Sequence, residues 1–268
     1  MKEKLEELKN FLRDCKKVVV AYSGGVDSTF LLKVAKDTLG DNVLAVTLIS
    51  PIFPEREIKE AKRIAEELGV RHIILKNDEL LKHEEFIKNP PERCYICKKY
   101  NFQKIIEVAK ENNIDCVLDG SNVDDLKDYR PGKMALKELG ILSPLLELGF
   151  SKEEIRRLSR EFNLPTSEKP SLACLATRIP YGERIEIERL KRIEEGEDYL
   201  TKLGFNQVRV RDYKNMARIE IEEENFSLIL KKDIREKIIR KLKELGYKYI
   251  TLDLEGYRTG SMNQEIKK

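Results

Sequence analysis

The chain has 268 residues, 41% hydrophobic and 37% charged, and its 51 Lys and Arg against 48 Asp and Glu leave a net charge of +3. That length suits one large or two modest domains with a real core. The charges are interleaved along helices rather than segregated, so no basic arm marks a nucleic-acid binder, and RNA or DNA is not the expected partner.

No apolar run approaches the roughly 18 residues of a membrane helix. Residues 1–10 are charged and carry no apolar signal segment. The expectation is a cytoplasmic protein with no membrane partner. In that setting the five cysteines do not read as a disulfide framework; catalysis, metal binding and burial are open for each.

In chain order, residues 18–22 (Val-Val-Val-Ala-Tyr) form an apolar run that ends in a Gly-rich turn. A helical pattern follows, with Phe30, Leu31, Val34 and Ala35 on one face. Residues 43–50 read as a second buried strand and 54–68 as an amphipathic helix closed by Gly69. Short strands are expected at 72–75 and 116–118, with a helix over 97–112 between them. Strands alternating with helices imply an α/β fold, a parallel sheet covered on both faces.

Residues 119–144 are turn-rich and polar, and are expected at the carboxyl ends of the strands, where open α/β sheets bind ligands. Residues 151–162 read as a helix opened by the capping box Ser151-Lys152-Glu153-Glu154. Residues 164–185, with Pro165, Pro170, Pro180 and Gly182, have little regular pattern. Beyond them, helices are expected over 186–203 and 233–245, and strands over 207–210, 217–221 and 249–254. The expected organisation is a first domain over 1–165, a linker over 166–185 that carries chemistry, and a smaller C-terminal α+β domain over 186–268.

The most specific local signal is Ser23-Gly24-Gly25-Val26-Asp27-Ser28 between a strand and a helix. Glycines let backbone N–H groups close on an anion, and the helix N-terminus adds partial positive charge. Ser23 and Ser28 offer hydroxyls to phosphate oxygens. Asp27 repels phosphate and makes sense as a ligand for a phosphate-bridging magnesium ion. The Gly-Lys-Ser/Thr end of a Walker loop is absent. The segment resembles the loop of the PP-loop ATPase superfamily, and the resemblance implies an adenine nucleotide alpha-hydrolase-like fold that cleaves ATP between the α- and β-phosphates.

Further segments extend the resemblance: residues 93–98 (Arg-Cys-Tyr-Ile-Cys-Lys), 119–125 (Asp-Gly-Ser-Asn-Val-Asp-Asp), 129–132 (Tyr-Arg-Pro-Gly), 170–178 (Pro-Ser-Leu-Ala-Cys-Leu-Ala-Thr-Arg) and 256–263 (Gly-Tyr-Arg-Thr-Gly-Ser-Met-Asn). Taken in order, this set resembles the LarE family of sulfur transferases that build the nickel-pincer nucleotide cofactor. The resemblance implies a small-molecule nucleotide substrate, pyridinium-3,5-dicarboxylic acid mononucleotide, whose carboxylates are adenylated with ATP and then thiolated. It implies a homo-oligomer as well, and leaves the source of sulfide unspecified. A tRNA thiolase of the same superfamily is the main alternative, although no RNA-binding module or extra zinc-binding region is visible.

By the same resemblance, Cys174 is the sulfur-delivering cysteine, with Arg178 as a nearby cation to favour its thiolate. Cys94 and Cys97 form a Cys-x-x-Cys pair which, with Cys174, suits three-point ligation of a 4Fe-4S cluster. A redox pair or half a zinc site fits the same spacing. Cys15 and Cys116 read as core residues.

Gly120, Asp124, Asp125 and Arg130 are expected at ATP with the loop residues. Arg209 and Arg211 alternate on one strand face; with Arg178 and Arg258 they are assigned by resemblance to the substrate's phosphate, a group that suits arginine forks. A solvated, salt-bridged sheet face is the other reading of these arginines. Glu197 is placed by resemblance near the cysteine as a catalytic carboxylate, with an exposed helix position as the alternative. Glu220 and Glu222, alternating with Ile219 and Ile221, read as exposed. His72 and His83 show no ligand spacing.

Overall fold

The computed structural model describes residues 2–127, 131–170, 173–258 and 260–262. The chain forms two compact units, Met1–Leu80 with Glu92–Leu172, and Leu81–Pro91 with Ala173–Lys268.

The first unit is built on a parallel sheet in the order β3-β2-β1-β4, with β1 Val18–Ala21, β2 Val43–Ile49, β3 Arg71–Lys76 and β4 Cys116–Leu118. Val18, Val19 and Val20 are all fully buried, because helices cover both faces and a central parallel strand has no polar side. Val18 and Val20 pack with residues of the helices Lys2–Cys15, Val26–Leu39 and Lys152–Glu161, while Val19 packs on the other side with residues of the helix Arg93–Glu111. The chain leaves β1 toward β2 on one side, and β4 lies on the other. The carboxyl end of β1 is therefore the switch point at which such sheets bind ligands.

Two elements depart from the sequence reading here. The Arg93–Glu111 helix starts a turn earlier than expected, just after Pro90-Pro91, with the Tyr95 N–H on the Glu92 carbonyl at 2.8 Å. Both cysteines of the Cys-x-x-Cys pair are thus helical. The stretch expected as turns also holds a short helix, Gly132–Glu138, which buries Ala135 and Leu136.

The second unit carries a three-stranded sheet in the order β5-β6-β7. β5 (Val208–Tyr213) and β6 (Met216–Ile221) form an antiparallel hairpin, and β7 (Tyr249–Leu252) lies parallel to β6 after the Lys232–Glu244 helix. One face is apolar: Val208, Val210, Ala217, Ile219 and Ile221 pack with Leu200 of the Ile187–Lys202 helix and with Ile238 and Leu242. Gly196 permits close helix packing, since a Cβ there would stand 3.1 Å from Leu242 Cδ2. This unit starts at Ala173, so most of the expected linker belongs to it, and it also recruits Leu81–Pro91. The reason is local: the Asn89 side-chain amide donates to the carbonyls of Ile179 and Pro180, and the N–H groups of Gly182 and Ile185 donate to the carbonyls of Asn89 and Ile87.

Candidate active site

In the first unit the phosphate loop is fixed by its own hydrogen bonds and by what packs on it. The Ser23 and Ser28 hydroxyls lie 3.1 Å apart, Gly25 N–H donates to Ser23 Oγ at 3.3 Å, and Ser28 Oγ donates to the Gly25 carbonyl at 3.3 Å. Gly24 has φ +71°, and a Cβ there would lie 2.8 Å from Ala61 Cβ. Glycine is required twice over, by the left-handed backbone and by the Glu55–Glu67 helix that the loop touches. Gly120, just past β4, approaches the loop from another side: its Cβ would stand 3.0 Å from Ser28 N. The loop and Gly120 therefore form one cradle.

Asp27 sits in the first turn of the helix that follows. Its Oδ2 is paired with Lys152 Nζ, while its Oδ1 is buried without a hydrogen bond. Burial pushes this carboxyl above the ordinary range, and the Lys152 ammonium pulls the other way. A buried, unpartnered carboxylate oxygen beside a phosphate cradle fits a hard divalent cation such as magnesium. Asp124 accepts the Lys152 backbone N–H at 2.7 Å, and Asp125 accepts that of Asn122 at 3.1 Å. Asp124 is thus tied to the same helix start as Lys152. Arg130 lies outside the described residues.

Cys94 and Cys97, one helical turn apart, share a helix face. Cys94 is exposed, and Cys97 accepts a hydrogen bond from Asn101 Nδ2 at 3.3 Å. Lys98, beside them, reaches Asp119 at 3.5 Å, and Asp119 also takes the hydroxyls of Ser121 and Ser143 at 2.6 and 2.5 Å. Two thiols on one turn fit two ligands of a cluster. Among the described residues, no three His, Cys, Asp or Glu side chains are gathered into a group that could hold a metal ion.

In the second unit Cys174 is the N-cap of the short 3-10 turn Leu175–Arg178. Its carbonyl accepts the Thr177 N–H at 3.0 Å, the Thr177 hydroxyl at 2.8 Å and Arg178 Nη1 at 3.0 Å. Arg178 also donates to the Ala173 carbonyl at 2.7 Å. Its Nε and Nη2 each bond a Glu197 oxygen at 2.9 Å, and Glu197 Oε1 accepts the Val210 N–H at 3.0 Å. Arg178 is 0% and Glu197 1% exposed. Burial alone would raise the Glu197 carboxyl, but the charges and hydrogen bonds of Arg178, with Arg209 behind, hold it below the ordinary range. Arg178 thus donates to a carboxylate and to the backbone of the cysteine turn. Glu197, placed by resemblance near the cysteine, is buried and anchors that arginine, and does not lie on the exposed helix face that was the alternative.

The second face of the β5–β6 hairpin is charged, and it is covered. Arg209 pairs in register with Glu220, and Arg211 with Arg218. Arg211 binds Glu220 through Nε and Nη2 at 2.9 and 2.6 Å, the Thr177 carbonyl at 2.9 Å and Ser261 Oγ at 2.9 Å. Arg209 lies under the Tyr257 ring, 5.2 Å from its centroid. Burial and the nearby Arg178 charge lower the Arg209 guanidinium to about 10. Glu220, expected to be exposed, is fully buried between Arg211 and Arg218. Arg258 lines a cavity of about 460 Å³ with Arg218, Asp253 and Ser261. It pairs with Glu255 at 2.6 Å and Asp253 at 3.6 Å.

The other residues singled out in the sequence are structural. Cys15 and Cys116 are half-buried and pack on the core of the first unit, and burial pushes the Cys15 thiol up to about 12. His72 shares a 2.8 Å hydrogen bond with Thr47 Oγ1. Lys152, Lys98 and Lys169 escaped the sequence reading of the site. No local motif links Lys152 to Asp27, 125 residues away.

A parallel sheet with a glycine cradle and an acidic residue at the switch point defines an ATP-using enzyme of the PP-loop superfamily. The NAD synthase family model matches residues 2–93. A pyridinium-3,5-bisthiocarboxylic acid mononucleotide synthase of Lactiplantibacillus plantarum is 38% identical over 96% of this chain and 92% of its own. An uncharacterized protein of Synechocystis is 41% identical over the whole of both chains, and a tRNA-specific 2-thiouridylase of Carboxydothermus hydrogenoformans is 27% identical over 68% of this chain and 61% of its own. The chain belongs to the pyridinium-3,5-bisthiocarboxylic acid mononucleotide synthase family, LarE. No helix among the described residues is long and apolar enough to cross a membrane.

Proposed function

We propose that the chain is an ATP-dependent sulfur transferase that converts the carboxylates of pyridinium-3,5-dicarboxylic acid mononucleotide into thiocarboxylates. In this reading the cradle of residues 23–28 with Gly120 holds the ATP phosphates, and Asp27 holds magnesium through its buried free oxygen. A substrate carboxylate attacks the α-phosphate, pyrophosphate leaves, and sulfur then displaces AMP from the acyl-adenylate. Positioned donors at the phosphates supply most of the catalysis in such transfers. The proposal includes a homo-oligomer in the cytoplasm.

One observation carries the assignment of Cys174: a thiol-bearing turn whose backbone is held by a fully buried arginine–glutamate pair. Charge-assisted hydrogen bonds are among the strong ones, and here they hold the main chain of the cysteine turn in one position. The exposed end of the arginine system, Arg218 and Arg258 at the cavity, supports binding of the nucleotide's phosphate in the same unit. Arg209 and Arg211 take part as the buried charges behind it.

The sulfur source follows from the cysteines. Cys94, Cys97 and Cys174 are proposed as three ligands of a 4Fe-4S cluster, which when bound would supply hydrosulfide at its open iron. The supporting feature is the Cys-x-x-Cys pair on one helical turn.

The test is anaerobic turnover with ATP, magnesium, sulfide and the pyridinium dicarboxylate, followed by mass analysis of substrate and protein. Expected are pyrophosphate, AMP, a thiocarboxylate product and iron and sulfide at roughly four atoms each per chain. Thiolation of tRNA with no thiolation of the pyridinium nucleotide would overturn the substrate assignment. Iron-free active protein that loses about 34 Da at Cys174, the mass of H₂S, would replace the cluster by sacrifice of the cysteine itself.

A further inference from the structure

The phosphate cradle has a weak point that its own sequence creates. Gly24-Gly25 is the only Gly-Gly pair in the chain, and a peptide flanked by two glycines turns over easily, because neither residue resists a change of sign in its dihedral angles. In a planar trans peptide the carbonyl and the N–H point opposite ways. The Gly25 N–H is directed at Ser23 Oγ at 3.3 Å, and that hydroxyl lies 3.1 Å from Ser28 Oγ. Turned over, the same peptide presents a carbonyl oxygen on the side where an anion site needs N–H groups.

We infer that Lys169 is the positioning residue of this loop: by holding the Gly24 carbonyl on the side away from the Ser23 hydroxyl, it locks the Gly24–Gly25 peptide with its N–H toward the phosphates. This rests on the reading of residues 23–28 as a seat for ATP.

The Lys169 ammonium donates to the Gly24 carbonyl at 3.1 Å and is paired with Glu57 and Glu60 at 2.6 and 2.5 Å. Only 10% of its side chain is exposed. Both carboxylates belong to the Glu55–Glu67 helix, where with Ala61 they share one face at i, i+3 and i+4. Ala61 is the residue against which Gly24 packs, so one helix face seats the glycine and fixes the lysine that holds its carbonyl. The backbone that carries Lys169 is fixed too, since Arg156 donates to the carbonyls of Ser167 and Lys169. With two carboxylates and a carbonyl around it, the ammonium is committed to the protein. It acts on the nucleotide through the peptide alone.

Glycine labelled with 13C at the carbonyl and 15N at the amide reads this peptide directly. A triple-resonance experiment that links each amide to the preceding carbonyl gives one cross-peak, because the chain has one Gly-Gly pair. In Lys169→Met the Gly24 carbonyl carbon should move upfield, the direction expected on loss of a hydrogen bond, and the Gly25 amide should shift or split as the peptide turns. Calorimetry should find affinity for ATP–magnesium lowered about tenfold or more, the scale of one hydrogen bond to a charged group, with adenosine binding unchanged.

Removing a cation near the loop also weakens ATP binding by charge alone. Lys169→Met combined with Glu60→Gln restores the parental net charge, and the loss should persist there; recovery of ATP affinity in that double variant would overturn the inference. It also relieves a stranded carboxylate, so it carries the comparison if the single variant melts early. A cross-peak in its parental position, parental ATP affinity in Lys169→Met, or an equal loss for adenosine would each overturn it as well. A parent chain that binds no ATP–magnesium would instead sink the nucleotide reading, while the cross-peak still decides whether the lysine holds the peptide.

Discussion

Replacing Glu197 by alanine removes the partner of a fully buried guanidinium. Arg178 is 0% exposed and holds Glu197 through two bonds of 2.9 Å, so no solvent is at hand to compensate the charge. Breaking such a pair from one side costs about 3–5 kcal/mol. The Val210 N–H, bonded to Glu197 Oε1 at 3.0 Å, is orphaned as well, which costs about 1–3 kcal/mol if nothing replaces the acceptor. The sum is a large share of the roughly 5–15 kcal/mol that holds a domain together. Urea unfolding followed by circular dichroism should show the loss, and Glu197→Gln, which keeps the acceptor for Val210, should lose less. The pair also has a pH signature. Arg178 holds the Glu197 carboxyl below its ordinary range, so the stability it gives is full above that range and fades as pH falls through the lowered value. The glutamine variant should lack this part of the acid limb. The pair further restrains the Cys174 turn through the Ala173 and Cys174 carbonyls, so peptide mapping should find Cys174 alkylated faster in Glu197→Gln. A loss below about 1 kcal/mol in Glu197→Ala would refute the energetic argument, because exposed pairs are worth no more than that. An unchanged alkylation rate would refute the link to the cysteine.

Three further outcomes are expected. Gly24→Ala combines a left-handed backbone with a contact of 2.8 Å to Ala61 Cβ, so it should lower stability by about 1–2 kcal/mol and ATP affinity more than tenfold; parental ATP binding by calorimetry would contradict the cradle. Asp27 titrates above the ordinary carboxylate range because it is buried, and magnesium needs it ionised. Magnesium-dependent ATP binding should therefore weaken as pH falls into that raised range, and Asp27→Asn should abolish the dependence; a pH-independent affinity in the parent chain would count against the metal role. Arg211→Ala leaves Glu220 buried with a weaker share of positive charge and should cost about 3 kcal/mol in urea unfolding, whereas Arg258→Ala, at a partly exposed position, should spare stability and weaken binding of the substrate nucleotide.

Backbone requirements were legible in the sequence, and the fates of charged side chains were not. The strand–loop–helix at residues 18–39 and the capping box at Ser151 follow from short local patterns, and the parallel sheet from the alternation of strands and helices. Glycines at 24 and 120 reveal themselves because only glycine fits there. The strand expected over 207–210 is shorter than β5, which runs to Tyr213, because Arg211 and Asp212 end the apolar alternation. The early start of the Arg93–Glu111 helix was hidden by an N-terminus without a side-chain cap.

The charged face of β5 and β6 shows why periodicity fails at such a place. Alternation of Arg and Glu with Val and Ile is the pattern of a sheet with one wet side, and by that rule Glu220 should be exposed. A further layer lies over this face, made of the 3-10 turn at 175–178, Tyr257 and Ser261. Burying Arg178, Arg209, Arg211, Glu197 and Glu220 together is costly unless each charge finds partners. Glu197 reaches Arg178 from 19 residues away, and Thr177 and Ser261 reach Arg211 from 34 and 50, so no short window of the chain announces the network. What the network gives in return is a single position for the backbone that carries Cys174, reached through two carbonyl acceptors of one arginine. The same logic holds at the phosphate loop, where Lys152 meets Asp27 from 125 residues away. In both units an ion pair, buried at Arg178–Glu197 and half-buried at Lys152–Asp27, fixes the segment to which the proposal assigns chemistry.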